Sequence, residues 1–228
     1  MDIHMHYSDL VNLTEGVRVE KMFHMTKKWL QIIDSGYMVP ALLDYTEARI
    51  VTRGMGYKPK SVESKDAINK LVNEEYRFIS FARTMQSSFL DEMQTHMDSH
   101  EPIVSYEFDA RKVKRDYKVV PISYYGHRSQ GGEQEERLIT KDEEFPIWNY
   151  ATGIHVYIDS FWEEYIDMGH TDDKAKALQG WIKQLMLTGR AHKIPVYVYR
   201  NLKDFRAARW TNADEISQNS DLDFDDDD

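Results

Sequence analysis

Gly131-Gly132-Glu133-Gln134-Glu135-Glu136-Arg137-Leu138-Ile139-Thr140 carries the chain out of a polar loop, Tyr124 to Gln130, and into an apolar strand. Ionised carboxylates are seldom buried without a partner, so glutamates at the mouth of a strand face either a cleft or water. Alternate residues of a strand share a face. That sets Glu133, Glu135 and Arg137 on one side and Gln134, Glu136 and Leu138 on the other. One face then has carboxylates to offer chemistry. The plain alternative is a solvated loop and edge strand in which Arg137 partly neutralises its neighbours, and a short motif alone does not separate the two.

Working outward, Tyr117 to Ile122 reads as a strand interrupted near Pro121, and Ile103 to Phe108 as another, with Asp109 to Asp116 a short capped helix or turn between them. In Arg77 to Arg83, Phe78, Ser80 and Ala82 alternate with Ile79 and Phe81, the pattern of a core strand that carries a serine and ends at an arginine. Met85 to Ser99 is a polar helix or loop. Ile68, Leu71 and Val72 place one apolar side on a helix from about Ser64 to Glu75. Tyr37 to Lys60 holds Pro40, Pro59 and the Gly54-Met55-Gly56 pair among cations, and reads as irregular. No Gly-Lys-Ser/Thr follows and no third spaced glycine is present, which excludes a nucleotide P-loop and a dinucleotide fingerprint. Val17 to His24 reads as a strand, followed at a His-x-Thr corner by a helix with Thr26 as N-cap, Trp29, Ile32 and Ile33 on one face and Gly36 at its end. Downstream, Gly153 to Ile158 alternates as a strand. The strongest helix follows, capped by Thr171, with Leu178, Trp181, Ile182 and Leu185 on one face and Gly189 closing it. Ile194 to Tyr199 is a last strand, and Asn201 opens a short basic helix to Arg209. Six or seven short strands and about four helices without regular alternation predict an α+β fold rather than a doubly wound sheet.

The chain has 228 residues, a length that predicts one domain, residues 1–210, and a tail, 211–228. The formal charge is -10, from 29 cations and 39 acids. Eight of those acids lie between Asp214 and Asp228, leaving 31 against 29 cations, so the body is close to neutral. A run so acidic and so poor in apolar surface does not offset its ordering entropy; solubility, or a contact to a basic partner, is its expected role. The absence of cysteine excludes disulfides and thiolate chemistry and accords with a reducing cytoplasm. No stretch approaches the ~18 apolar residues of a membrane span, and the start lacks the pattern of an export signal. His4 and His6, next to Asp2, are of metal-binding type, but no further spaced ligand accompanies them.

Taken in order, Phe23-His24-Met25-Thr26, Phe78-Ile79-Ser80-Phe81-Ala82-Arg83, Asp109-Ala110-Arg111-Lys112-Val113 with Tyr117-Lys118-Val119, and Glu133-Gln134-Glu135-Glu136-Arg137 make a series. In this series the chain resembles the ADP-ribosyltransferase superfamily, and more closely the ADP-ribosyltransferase-like proteins of tailed bacteriophages, over about residues 20 to 200. The resemblance implies a split sheet of short strands, NAD as substrate, transfer of ADP-ribose to a host protein or nucleic acid, and action in the host cytoplasm.

It also implies roles. The second acid of a Glu/Gln-x-Glu triplet stabilises the sugar cation; Glu133-Gln134-Glu135 names Glu135 and the overlapping Gln134-Glu135-Glu136 names Glu136, and both stay open. His24, with Thr26 beside it, would hold the nicotinamide ribose. Ser80 would brace the carboxylate or the ribose, Arg83 would meet the pyrophosphate, and Tyr37, Tyr124 or Tyr125 would stack on nicotinamide. The Tyr124 to Gln130 loop would select the acceptor. The middle motif has no clear tyrosine and the first strand has His24 or Arg18 where one branch has arginine, so a catalytically silent interaction protein on the same scaffold is the competing expectation. A third is a magnesium nuclease built on Glu107, Asp109 and Lys112.

Overall fold

The computed structural model describes residues 21–26, 28–83, 102–123, 134–157 and 173–199. The acidic tail, the 124–133 loop with Glu133, Tyr124 and Tyr125, the Thr171 cap, the 85–99 segment and the helix after Asn201 lie outside these residues.

Among the described residues ten strands and five α-helices follow one another in the order β1 (Lys21–Thr26), α1 (Trp29–Ser35), β2 (Tyr37–Met38), β3 (Ala41–Leu42), α2 (Tyr45–Gly54), α3 (Val62–Asn73), β4 (Arg77–Ala82), β5 (Ile103–Asp109), α4 (Ala110–Asp116), β6 (Lys118–Ser123), β7 (Gln134–Thr140), β8 (Phe145–Pro146), β9 (Ala151–Tyr157), α5 (Asp173–His192) and β10 (Val196–Tyr199). A 3-10 turn, Ile147–Asn149, joins β8 to β9. The main sheet runs β10-β9-β5-β1-β4-β7-β6, with β3 on β4. Only β10 on β9 is parallel; the other described pairs are antiparallel. Helices and strands are mixed without regular alternation, as expected of α+β.

Each face of the sheet is covered by its own cluster. Met22, Ile79, Phe81, Tyr106, Phe108, Leu138 and Ile154 share one face and pack with Trp29 and Ile32 of α1, Phe145, Ile147 and Leu185 of α5. Trp29 is fully buried and each such side chain contributes about 2 to 3 kcal/mol. On the other face Val120, Ile122 and Ile139 pack with Ala48 and Val51 of α2 and Ile68 and Leu71 of α3.

Several boundaries differ from expectation for identifiable reasons. Thr26 ends β1 instead of capping α1: its Oγ1 accepts from the Lys28 N–H at 3.0 Å, so the hydroxyl closes a turn between strand and helix. Gly36 does end α1, at φ 77, its N–H donating to the Ile32 carbonyl. The 37–60 stretch is not irregular, because Asp44 caps α2 by accepting from the Glu47 N–H at 2.7 Å. Gly54 belongs to that helix and is no phosphate cradle: a Cβ there would stand 2.5 Å from the Pro121 carbonyl oxygen and 2.7 Å from Val120 Cγ1. Gly189 likewise lies inside α5, which runs on to His192, and its missing Cβ admits Val196 Cγ2, 2.4 Å from where the carbon would stand. Both glycines answer to packing between elements, which local sequence does not display.

Candidate active site

Strands β1, β4 and β7 lie side by side. β4 and β7 pair from Arg77↔Thr140 to Ala82↔Glu135. Among the described residues β1 meets β4 at one register pair, Phe23↔Ala82. Beyond it the His24 ring lies against β4, with Nδ1 2.8 Å from the Ser80 carbonyl oxygen. A carbonyl only accepts, so Nδ1 carries the proton and Nε2 presents a lone pair. Burial holds the ring below the ordinary histidine value of 6.5, outweighing the upward effect of the Ser80 carbonyl, and His24 is neutral at pH 7.

Ser80 is the hinge of the arrangement. Its carbonyl takes His24 while its Oγ donates to Glu135 Oε1 at 2.6 Å. The same carboxylate oxygen accepts from Arg137 Nε at 2.7 Å. Charge-assisted bonds of this kind are roughly twice as strong as neutral ones. Arg137 is buried against the Phe78 ring, 4.7 Å from its centroid, and its Nη1 pairs with Glu47 Oε2 on α2. Both bonds to Glu135 fall on Oε1; among the described residues Oε2 takes none. The side chain of Glu135 is 15% exposed, so the site is neither sealed nor at the open surface.

The two rival glutamates lie on opposite faces, as alternation requires. Glu135 is in register with Ala82 and shares the face of Ser80 and Arg137. Glu136 is in register with Phe81 on the face of the larger core. It is 3% exposed, with Arg83 Nε 2.8 Å from Oε1 and Lys114 Nζ 2.8 Å from Oε2. Glu136 is thus an anchor between β7, the end of β4 and α4, and the structure does not bring it to Ser80. Arg83, expected against a pyrophosphate, is engaged by that anchor. Tyr37 lies in the separate β2–β8 sheet, in register with Pro146, and is 42% exposed. Thr26 contributes the turn described above.

Arg137 is legible in sequence as a neighbour on the face of Glu135, two residues along the strand. Glu47 has no such signal, since only the docking of α2 on β6 and β7 brings it to Arg137.

A second polar cluster crosses β1, β5, β9 and β10. Glu107 accepts from Lys21 Nζ at 3.1 Å, from Thr152 Oγ1 at 2.8 Å and from His155 Nε2 at 3.1 Å, and His155 Nδ1 lies 2.8 Å from the Tyr199 hydroxyl. Burial alone would raise the Glu107 carboxyl, but His155 and then Lys21 carry it down to about 2. Glu107 is therefore occupied within the sheet. Asp109 caps α4 through the Arg111 and Lys112 N–H groups, and Lys112 Nζ donates to the Asn149 carbonyl at 2.6 Å. The three residues of the nuclease expectation serve three different structural contacts and do not converge on one point. The basic run around them is also engaged, with Lys114 on Glu136 and Arg115 on Asp116.

Comparison of the chain with protein-family models, curated proteins and solved structures gives no match in any of the three. Among the described residues no helix is long and apolar enough to cross a membrane.

Proposed function

We propose that this chain is an NAD-dependent mono-ADP-ribosyltransferase that modifies a macromolecule of a phage-infected host cell. One observation carries the proposal: His24, Ser80 and Glu135, separated by 56 and 55 positions along the chain, form one hydrogen-bonded line across three neighbouring strands. The resemblance implies His24 for the ribose, Ser80 as a brace of carboxylate or ribose, and Glu135 as one of two candidates, with Glu136, for the catalytic acid. The near-parting of β1 from β4 at this line accords with a split sheet.

Cleavage of the bond between nicotinamide and ribose leaves an oxocarbenium-like sugar, as in glycoside hydrolysis. Glu135, already oriented by two donors on Oε1, turns its other oxygen to that developing cation or to a ribose hydroxyl. The cost of orienting it is met during folding, which is what makes preorganised charge effective. Neutral His24 has its ring plane fixed by Nδ1–H on the Ser80 backbone carbonyl and keeps Nε2 as an acceptor, with the ring packed edge-on to Phe81 on the face opposite Glu135.

The test is transfer of label from NAD to cell lysate by the wild type, Glu135→Ala and Glu136→Ala. Glu135→Ala is expected to cut transfer by about 10²- to 10³-fold with the fold retained. Glu136→Ala is expected instead to lower stability, by about 2 to 4 kcal/mol in urea unfolding, by leaving Arg83 and Lys114 without their carboxylate. Transfer that survives Glu135→Ala would remove that residue from the mechanism. The engagement of Arg83 by Glu136 favours the second reading, a binding protein on the same scaffold. A wild type that neither binds nor consumes NAD would select it.

A further inference from the structure

We propose that Arg137 is a positioning residue for Glu135 and that Glu47, on helix α2, is its anchor, so that the seating of α2 governs which carboxylate oxygen of Glu135 faces the substrate. The proposal rests on the reading of Glu135 as the catalytic acid, but its first measurement does not.

The geometry points to a chain of three charged groups. Glu135 Oε1 receives Arg137 Nε at 2.7 Å and Ser80 Oγ at 2.6 Å, from two different strands. Two donors on one oxygen fix both the rotation of the carboxylate and the direction in which Oε2 points. Ser80 alone supplies one donor from a hydroxyl that rotates freely. Arg137 supplies a planar fork, and a fork held at one prong has its other prongs fixed in direction. The fixed prong is Nη1 on Glu47 Oε2, and the Phe78 ring beneath the guanidinium restricts the remaining motion. Arg137 is 8% exposed and Glu47 30%. The anchor therefore stands at the border of the site, on a helix whose position is set by packing of Ala48 and Val51 against β6 and β7 and not by the reaction.

Because removal of buried Arg137 would leave two carboxylates without their cation, Glu47→Gln is the informative variant. In the wild type, the 15N-resolved Nε–H of Arg137, assigned by its loss in Arg137→Lys, is expected to be protected from solvent exchange. In Glu47→Gln its exchange is expected to quicken by at least about tenfold, as a bond worth on the order of 1.4 kcal/mol or more is lost. In the same variant kcat for NAD turnover is expected to fall by about ten- to a hundredfold, with KM within about twofold, because misorientation of the reacting group is a loss in the chemical step and not in binding. Glu74→Gln, which removes an exposed partner of Lys141 elsewhere, serves as the charge control and is expected to change neither. Unchanged Nε–H protection in Glu47→Gln overturns the anchor, and unchanged kcat with lost protection overturns the positioning role. If the wild type does not turn over NAD, the enzymatic reading falls separately, and the exchange measurement still decides whether Glu47 holds Arg137.

Discussion

His24 shows how much chemistry one hydrogen bond can decide. The Ser80 carbonyl sets the tautomer, burial sets the charge, and together they leave Nε2 as an acceptor. Because the folded value lies below 6.5, the unfolded chain takes up the proton first as pH falls, so stability from this group is present above 6.5 and declines below it. In a 13C NMR titration the His24 ring carbons are expected to titrate with a midpoint below 6.5, and any acid loss of NAD turnover owed to this ring is expected to have its midpoint below that value. A ring that titrates at or above 6.5 would contradict the assignment. At the same scale, Glu135 and Glu136 illustrate what adjacency conceals. One covalent step apart, one meets Ser80 and the other is locked between Arg83 and Lys114. Alternation was readable in the sequence, but which side held Ser80 was not, since this depends on the β4–β7 register.

Helix α2 is the element that local reasoning missed. Prolines and glycines around it read as loop, although Asp44 and Glu47 stand at N-cap spacing and Ala48, Val51 and Thr52 make a buried face. Its glycine is a packing device. Gly54→Ala would gain about 1 kcal/mol of helix propensity, yet the new Cβ falls 2.5 Å from backbone, which does not yield as a flexible side chain would. We expect a net loss of about 1 to 3 kcal/mol, measured by urea unfolding; a more stable variant would show that α2 moves away from β6 at no cost. The strands β2, β3 and β8, of two residues each, also escaped the pattern, because a period of two needs more than two residues to be seen.

Across the whole molecule, the Glu107 cluster ties β1, β5, β9 and β10 together on the side of the sheet away from β6. The folded value of Glu107, about 2 against an ordinary 4.5, means that its contribution is complete above 4.5 and is lost as pH falls from there to about 2. At about 1.4 kcal/mol per pH unit that is on the order of 3 kcal/mol. Glu107→Gln is expected to lower stability at pH 7 by a comparable amount and to flatten the acid limb of a stability-against-pH curve; an acid limb identical to the wild type would refute this. Local features can be read from the residues alone: the alternation of β4 and β7, the apolar faces of α1, α3 and α5, the Gly36 stop, and hence an α+β chain in which two adjacent glutamates must part to opposite faces. Tertiary structure decided the rest, namely that β1, β4 and β7 become neighbours, that Glu135 and not Glu136 meets Ser80, and that Glu47 reaches Arg137. Side-chain period follows from the geometry of a single strand, whereas register and docking follow from the packing of surfaces that lie tens of residues apart along the chain.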